Sequence, residues 1–217
     1  MNNITVACVL RQGGWADYDA GWVERLQNMV SRNLQRPHRF VCFSDCDVPC
    51  ERIPLLPTDP DVRGWWAKMQ LFRPGILSGP VLYLDLDTVI SGSLDEVIDR
   101  VEYQDMVMWW ESDRAIASSA IMWWRQDLSE LWNIYCQDPD HWHREYRVSP
   151  RLGDQAFVSE RVTTTTFLDH CPSEWFHIAS KSDHRVELSQ VRILTFRKRA
   201  NKPSTMPNHP LVKAHWR

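Results

Sequence analysis

Two aspartates two residues apart, Asp85 and Asp87, follow the short apolar run Val81-Leu82-Tyr83-Leu84, which Gly79-Pro80 opens. Carried on one face of a strand, with alpha carbons about 6–7 Å apart, two such charges repel by roughly 2–3 kcal/mol in a partly buried setting. A hard divalent cation with oxygen ligands reverses the sign. Mn²⁺ or Mg²⁺ with an open coordination position would also hold phosphate. The pair is therefore expected to be a metal site, against the plainer reading of two aspartates in a surface turn. Val81 to Leu84 is too short for a helix and apolar on both faces, so it predicts a central strand covered on both sides. In open α/β sheets the ligand crevice lies at the carboxyl ends of such strands.

The elements that must position this pair can be read in order. Ile4 to Leu10 predicts a first strand. A helix follows with Trp22, Val23, Leu26, Met29, Val30 and Leu34 on one face, capped by Asp17 or Asp19 and stopped by Pro37. Arg39 to Phe43 predicts a second strand ending at Ser44-Asp45, and Glu51 to Pro54 a short third. This β-α-β opening is the start of a doubly wound, nucleotide-binding type of sheet. Asp61 to Phe72 predicts a helix carrying Lys68; by spacing alone that lysine is a solvated one. Beyond the acidic pair come a helix over Leu94 to Val101 capped by Ser93 or Ser91, a strand over Met106 to Trp110, and an apolar stretch over Ala115 to Trp124. An amphipathic helix over Asp127 to Tyr135 is followed by a charged, aromatic loop or lid containing His141 and His143. Gly153-Asp154-Gln155 opens another helix, either as an ordinary capped start or as a site element. Val191 to Phe196 predicts a last strand. Arg197-Lys198-Arg199 and Lys202 follow it, and beside a metal such a basic run can grip pyrophosphate. The tail to Arg217 reads as a surface wrap.

Composition narrows the class. A chain of 217 residues with net charge −3 predicts one domain. That charge leaves no general footprint for nucleic acid or membrane. No apolar run is long enough to span a bilayer, and MNNITVACVL lacks a signal-peptide pattern, so a cytoplasmic protein is expected. The six cysteines then read as reduced thiols, and Cys42, Cys46 and Cys50 match no strong zinc spacing. Of twelve tryptophans, most are expected in the core and a minority against a cleft, where sugar rings stack.

The runs Gly64-Trp65-Trp66-Ala67-Lys68-Met69-Gln70-Leu71-Phe72, Gly79 to Ile90 and Gly92-Ser93-Leu94-Asp95 resemble GT-A glycosyltransferases, in particular glycosyltransferase family eight and its bacterial relatives. The resemblance implies a GT-A (Rossmann-like) fold with a mixed, mainly parallel central sheet flanked by helices, residues 1–100 forming the nucleotide-binding half and 101–217 the acceptor half and C-terminal wrap. It implies a metal-dependent, hexosyltransferase-like enzyme moving a sugar from a nucleotide-sugar, UDP-sugar first, with retention. Acceptors left open are a saccharide, a lipid-linked glycan, a protein or a modified nucleic-acid base. It places Mn²⁺ or Mg²⁺ on Asp85 and Asp87, Lys68 near phosphate or donor sugar, and Gln155, or second Asp154, under the sugar, where an amide or carboxylate can stabilise positive charge developing at the anomeric carbon. Ser118 falls near the sugar, with Ala117 where the family has asparagine. Leu10, Tyr18 and Asp45, near the ends of the first two strands, fall near the nucleotide. Arg197 stands where the family has a metal-binding histidine; a guanidinium has no acceptor and cannot coordinate. Either His209 completes the metal shell, or Arg197 and Lys198 hold phosphate while the ion keeps an extra water. The second is the expectation. A phosphatase of the haloacid dehalogenase type also shows Asp-x-Asp at this spacing and would use Asp85 as nucleophile, but Val158 stands where its second acidic group belongs. A catalytically silent nucleotide-sugar binder is a further alternative.

Overall fold

The computed structural model describes residues 3–13, 18–57, 64–111, 116–149, 151–183, 187–197 and 201–217. In chain order, β1 (Ile4–Leu10), α1 (Ala20–Asn33), β2 (His38–Ser44) and β3 (Glu51–Pro54) give the expected β-α-β opening. A 3-10 helix over Gly64–Phe72 leads into β4 (Val81–Leu84), β5 (Val89–Ile90), α2 (Leu94–Val101), β6 (Met106–Glu111) and β7 (Ile116–Trp124). Then come α3 (Ser129–Gln137), α4 (Pro139–Glu145), β8 (Arg147–Val148), β9 (Arg151–Leu152) and α5 (Gly153–Ser159). The chain closes with β10 (Thr165–Thr166), α6 (Phe167–His170), β11 (Phe176–Ile178), β12 (Ile193–Thr195) and α7 (Pro210–His215).

Seven strands form the main sheet in the order β10-β6-β7-β4-β1-β2-β3. Pairing is parallel throughout except at β7, which runs antiparallel to both β4 and β6. The strand carrying the acidic motif is thus central, and its alternation explains why it is apolar throughout. Leu82 and Leu84 pack on one side with α1 and α2, while Val81 and Tyr83 pack on the other with Trp66, Met69 and Phe157. All four strand residues are buried, and burying each large apolar side chain contributes about 1.5–3 kcal/mol.

A smaller sheet, β11-β12-β5, sits at the motif's exit. Leu194 of β12 pairs antiparallel with Val89, so the chain running on to Phe196 and Arg197 passes back beside Thr88 and Asp87. Further along the chain, Lys202 reaches Asp87.

Several elements differ from expectation. The segment before β4 is a 3-10 helix, and Trp66 through Phe72 are all buried instead of forming one apolar stripe. Residues 138–148 are not a loop: Asp138 caps α4 by accepting from the His141 N–H at 2.9 Å, and Pro139 takes the first helical position. Asp19 stands at the N-cap of α1 without a capping hydrogen bond, and Asp17 lies outside the described residues. Ser93 caps α2 as expected. The tail is a packed element, with Trp216 against Trp22 (5.0 Å between ring centroids) and under the Arg25 guanidinium. The described cysteines are all free thiols. Among the described residues no helix is long and apolar enough to cross a membrane.

Candidate functional site

Asp85 and Asp87 do not sit on the strand itself. The chain leaves β4 after Leu84 and turns, with the Thr88 N–H donating to the Asp85 carbonyl at 3.0 Å. Asp85 keeps the side of the sheet that Tyr83 occupies: the Tyr83 hydroxyl donates to its Oδ1 at 2.6 Å, and Lys68 Nζ lies 2.8 Å from the same oxygen. Asp87 is held at Oδ2 by the Tyr18 hydroxyl at 3.0 Å and by an ion pair with Lys202. The other oxygen of each carboxylate accepts no hydrogen bond from the described residues.

Lys68 is not a solvated lysine. Only 9% exposed, it donates to the Ser119 hydroxyl at 3.0 Å and lies 3.8 Å from Asp154 Oδ2 as well as against Asp85. Burial by itself pulls its ammonium down, but Asp154 and then Asp85 outweigh that and hold it above the ordinary lysine value. Burial pushes the Asp85 carboxyl up, opposed by Lys68 and reinforced by Asp87. Burial, then Asp87 and Asp85, push the Tyr18 phenol well above its usual range, so it remains a neutral donor to Asp87.

Two adjoining cavities open on this cluster. One of about 190 Å³ is lined by Val9, Arg11, Tyr18, Tyr83, Asp85 and Asp87 among others. The second, of about 520 Å³, is lined by Glu111, Ser118, Asp154, Gln155, Phe196 and Arg197 among others. Trp65, Lys68, Asp85 and Lys202 border both. Among the described tryptophans Trp65 borders these two cavities, whereas Trp22, Trp66, Trp109, Trp123, Trp124 and Trp175 are buried. A cavity of about 550 Å³ lined by Met106, Leu128 and Thr165 lies at the opposite ends of the strands, away from every titratable group of this cluster.

Sequence and structure meet unevenly over the remaining residues. Gln155 and Ser118 line the larger cavity. Asp154 is buried, its Oδ2 facing Lys68 without a hydrogen bond. Arg197 reaches the cavity but pairs with buried Glu111 at 3.0 Å. Lys198 lies outside the described residues. Leu10 is wholly buried in the core and lines neither cavity. Asp45 accepts from the Gln12 N–H at 3.0 and 3.2 Å and borders a separate cavity that shares Arg11 with the smaller one. His209 is not at the acidic pair: its Nε2 lies 2.9 Å from Asp183 Oδ2, and His177 Nε2 lies 3.0 Å from Oδ1. Sequence reasoning passed over Ser119, Tyr83, Glu111 and that His-Asp-His cluster. A tyrosine at strand position 83, two before Asp85, was the available signal for the first phenol contact.

Solved structures share this architecture. Crystallographic LgtC carrying an active-site glutamine-to-glutamate mutation superposes with a TM-score of 0.61 at 11% identity, over 92% of this chain and 89% of that one. Galactosyltransferase LgtC in complex with donor and acceptor sugar analogs gives 0.60 at 10% identity, over 97% and 96%. Glycosyltransferase GlyE of Streptococcus pneumoniae TIGR4 gives 0.62 at 13% identity, over 92% of this chain and 56% of that one. The fold is GT-A. At these identities the likeness speaks for the fold alone. No protein-family model and no curated protein sequence matches the chain. Within the GT-A fold, the cluster lies at the carboxyl ends of β1 and β4, where an open α/β sheet binds its ligands.

The donor set fits a hard divalent ion in part. Two carboxylates offer oxygens at one mouth, yet among the described residues no group of three or more His, Cys, Asp or Glu converges on a metal position. Water and ligand oxygens would complete the shell, which Mg²⁺ accepts readily.

Gly153 carries a structural demand at this site. Its φ is +71°, and an added Cβ would lie 2.8 Å from Trp65 Nε1. Gly153→Ala should therefore lose about 2 kcal/mol from left-handed strain and displacement of the indole. The melting temperature should fall by about 4–8 °C in a chain of this size.

Proposed function

We propose that this protein is a retaining glycosyltransferase that moves a hexose from a nucleotide-sugar, a UDP-sugar in the first instance, to an acceptor. The observation that carries the reading is the grouping of Asp85, Asp87, Lys68 and Lys202 between two adjoining cavities in a GT-A fold. The smaller cavity would take the nucleoside, beside Tyr18 and Arg11; the larger would take the sugar and admit the acceptor. A divalent ion on Asp85 and Asp87 would neutralise the diphosphate and assist its departure.

The chain's own groups share that work. Lys202 would give fixed positive charge beside the departing phosphate, and Arg197, already paired with Glu111, would contribute less. Tyr18 and Tyr83 orient the two carboxylates through neutral hydrogen bonds. Lys68 ties Asp85, Ser119 and Asp154 into one buried unit, so it acts as an internal counter-ion and not as a free hook for phosphate. That unit presents Gln155, the neighbour of Asp154, to the larger cavity. Its amide oxygen would stabilise positive charge developing at the anomeric carbon. The active-site glutamine of LgtC accords with such a role.

A panel of UDP-sugars and aryl phosphates, with and without Mn²⁺, tests the assignment. Metal-dependent turnover of a UDP-sugar with no release from aryl phosphates is expected. Aryl-phosphate turnover would favour the Asp85 phosphatase instead, and binding without turnover a silent binder. In the same assay Gln155→Ala should lower kcat roughly 10²-fold with KM nearly unchanged. NMR of the product should show the donor's anomeric configuration, and an inverted linkage would contradict the role given to Gln155.

A further inference from the structure

We propose that Lys202 is a resident counter-cation that bars a bare divalent ion from Asp87, so that this site admits metal only together with a diphosphate. The inference rests on the nucleotide-sugar reading and concerns its binding order.

The charges at the mouth set the argument. Asp85, Asp87 and Asp154 face the two ammonium groups of Lys68 and Lys202, the Arg11 side chain borders the same smaller cavity, and Arg197 pairs with Glu111. Lys202 shares Asp87 Oδ2 with the Tyr18 hydroxyl, and the Lys202 and Asp87 side chains are 12% and 8% exposed. A bare divalent ion would have to displace that ammonium or sit beside it, with Lys68 on the far carboxylate. Either arrangement sets like charges against each other in a poorly solvated place, or strands a buried ammonium without its partner. An ion already bound to a diphosphate brings little net positive charge. It also supplies phosphate oxygens that can receive Lys202 as it leaves Asp87, so no buried charge is stranded during the exchange.

Calorimetric titration tests this with three probes: Mn²⁺ alone, UDP alone, and the Mn²⁺–UDP complex. Wild-type protein should bind the complex and show no measurable heat with Mn²⁺ alone. Lys202→Met, which keeps the side-chain length and removes the charge, should bind Mn²⁺ alone at least about 100-fold more tightly than wild type. Lys202→Arg should stay silent to bare Mn²⁺. Melting curves confirm that each variant is folded. Wild-type protein binding bare Mn²⁺ as tightly as the UDP-saturated protein does would overturn the proposal without recourse to any variant. So would Lys202→Met binding the complex but failing to gain bare Mn²⁺ affinity, and that result would leave the nucleotide-sugar reading standing. No binding of UDP or its complex by the wild type would overturn both.

Discussion

Asp87→Asn should lower kcat/KM for a UDP-sugar roughly 10²–10³-fold and remove manganese-dependent binding of UDP from the calorimeter. The change is nearly isosteric, and an asparagine carbonyl can still accept the Tyr18 hydroxyl, so the turn after β4 should persist. What is lost is the charge. One carboxylate, Asp85, already bound to Lys68 and Tyr83 through one oxygen, would remain to hold a divalent ion. Unchanged Mn²⁺–UDP affinity in a folded Asp87→Asn protein would remove the acidic pair from the mechanism.

Asp183→Ala should be among the most destabilising single changes in the chain. Asp183 is 3% exposed, and three groups converge on it: the Ser180 N–H at 2.7 Å, His177 at 3.0 Å and His209 at 2.9 Å. Removing the carboxylate leaves the Ser180 N–H and the buried His209 unpaired and takes away the group that partly exposed His177 faces, at a cost of about 3 kcal/mol or more. For a protein of this size that is a fall of about 6–12 °C in melting temperature. The cluster fastens the segment before α7 to the end of β11, away from the acidic pair, so the effect should appear in stability first. Burial raises the Asp183 carboxyl, but the Ser180 N–H and the two imidazoles outweigh it and leave it below the usual carboxylate range. A depressed folded-state value means the stabilisation is complete above the unfolded value near pH 4. It is lost as pH falls through the lower folded value, and Asp183→Ala should lose that part of the acid dependence.

The fold was legible where local pattern and burial agree. Val81 to Leu84 announced a central strand because both faces are covered, and the β1-α1-β2-β3 opening follows from its periodicities. The Asp-x-Asp spacing predicts two carboxylates on one face of a strand, and the two do border one cavity, but past the end of the strand. Asp85 continues the Tyr83 side of the strand, but a turn, not strand alternation, positions Asp87. The resemblance drew attention to Lys68, yet only packing reveals that Ser119 and Asp154 enclose it. Lys202 stood in the sequence as the end of a basic run. Its place on Asp87 depends on the antiparallel register of β12 with β5, a pairing between segments a hundred residues apart. His177, Asp183 and His209 carry no ligand-like spacing, because their meeting is made by the path of the tail and not by any one element. The cap-and-proline signal at Asp138-Pro139 was present for α4, but the charged and aromatic residues around it masked a seven-residue helix.

The central claim is that the acidic pair and Lys202 mark the diphosphate of a nucleotide-sugar. A crystal structure of the wild-type protein grown with UDP and Mn²⁺ tests it most directly. The diphosphate is expected between Asp85, Asp87 and Lys202, with the uridine toward Tyr18 and Arg11 and the larger cavity left open beside Gln155. Uridine diphosphate seated instead in the cavity between Met106, Leu128 and Thr165, with Lys202 still on Asp87, would contradict the account.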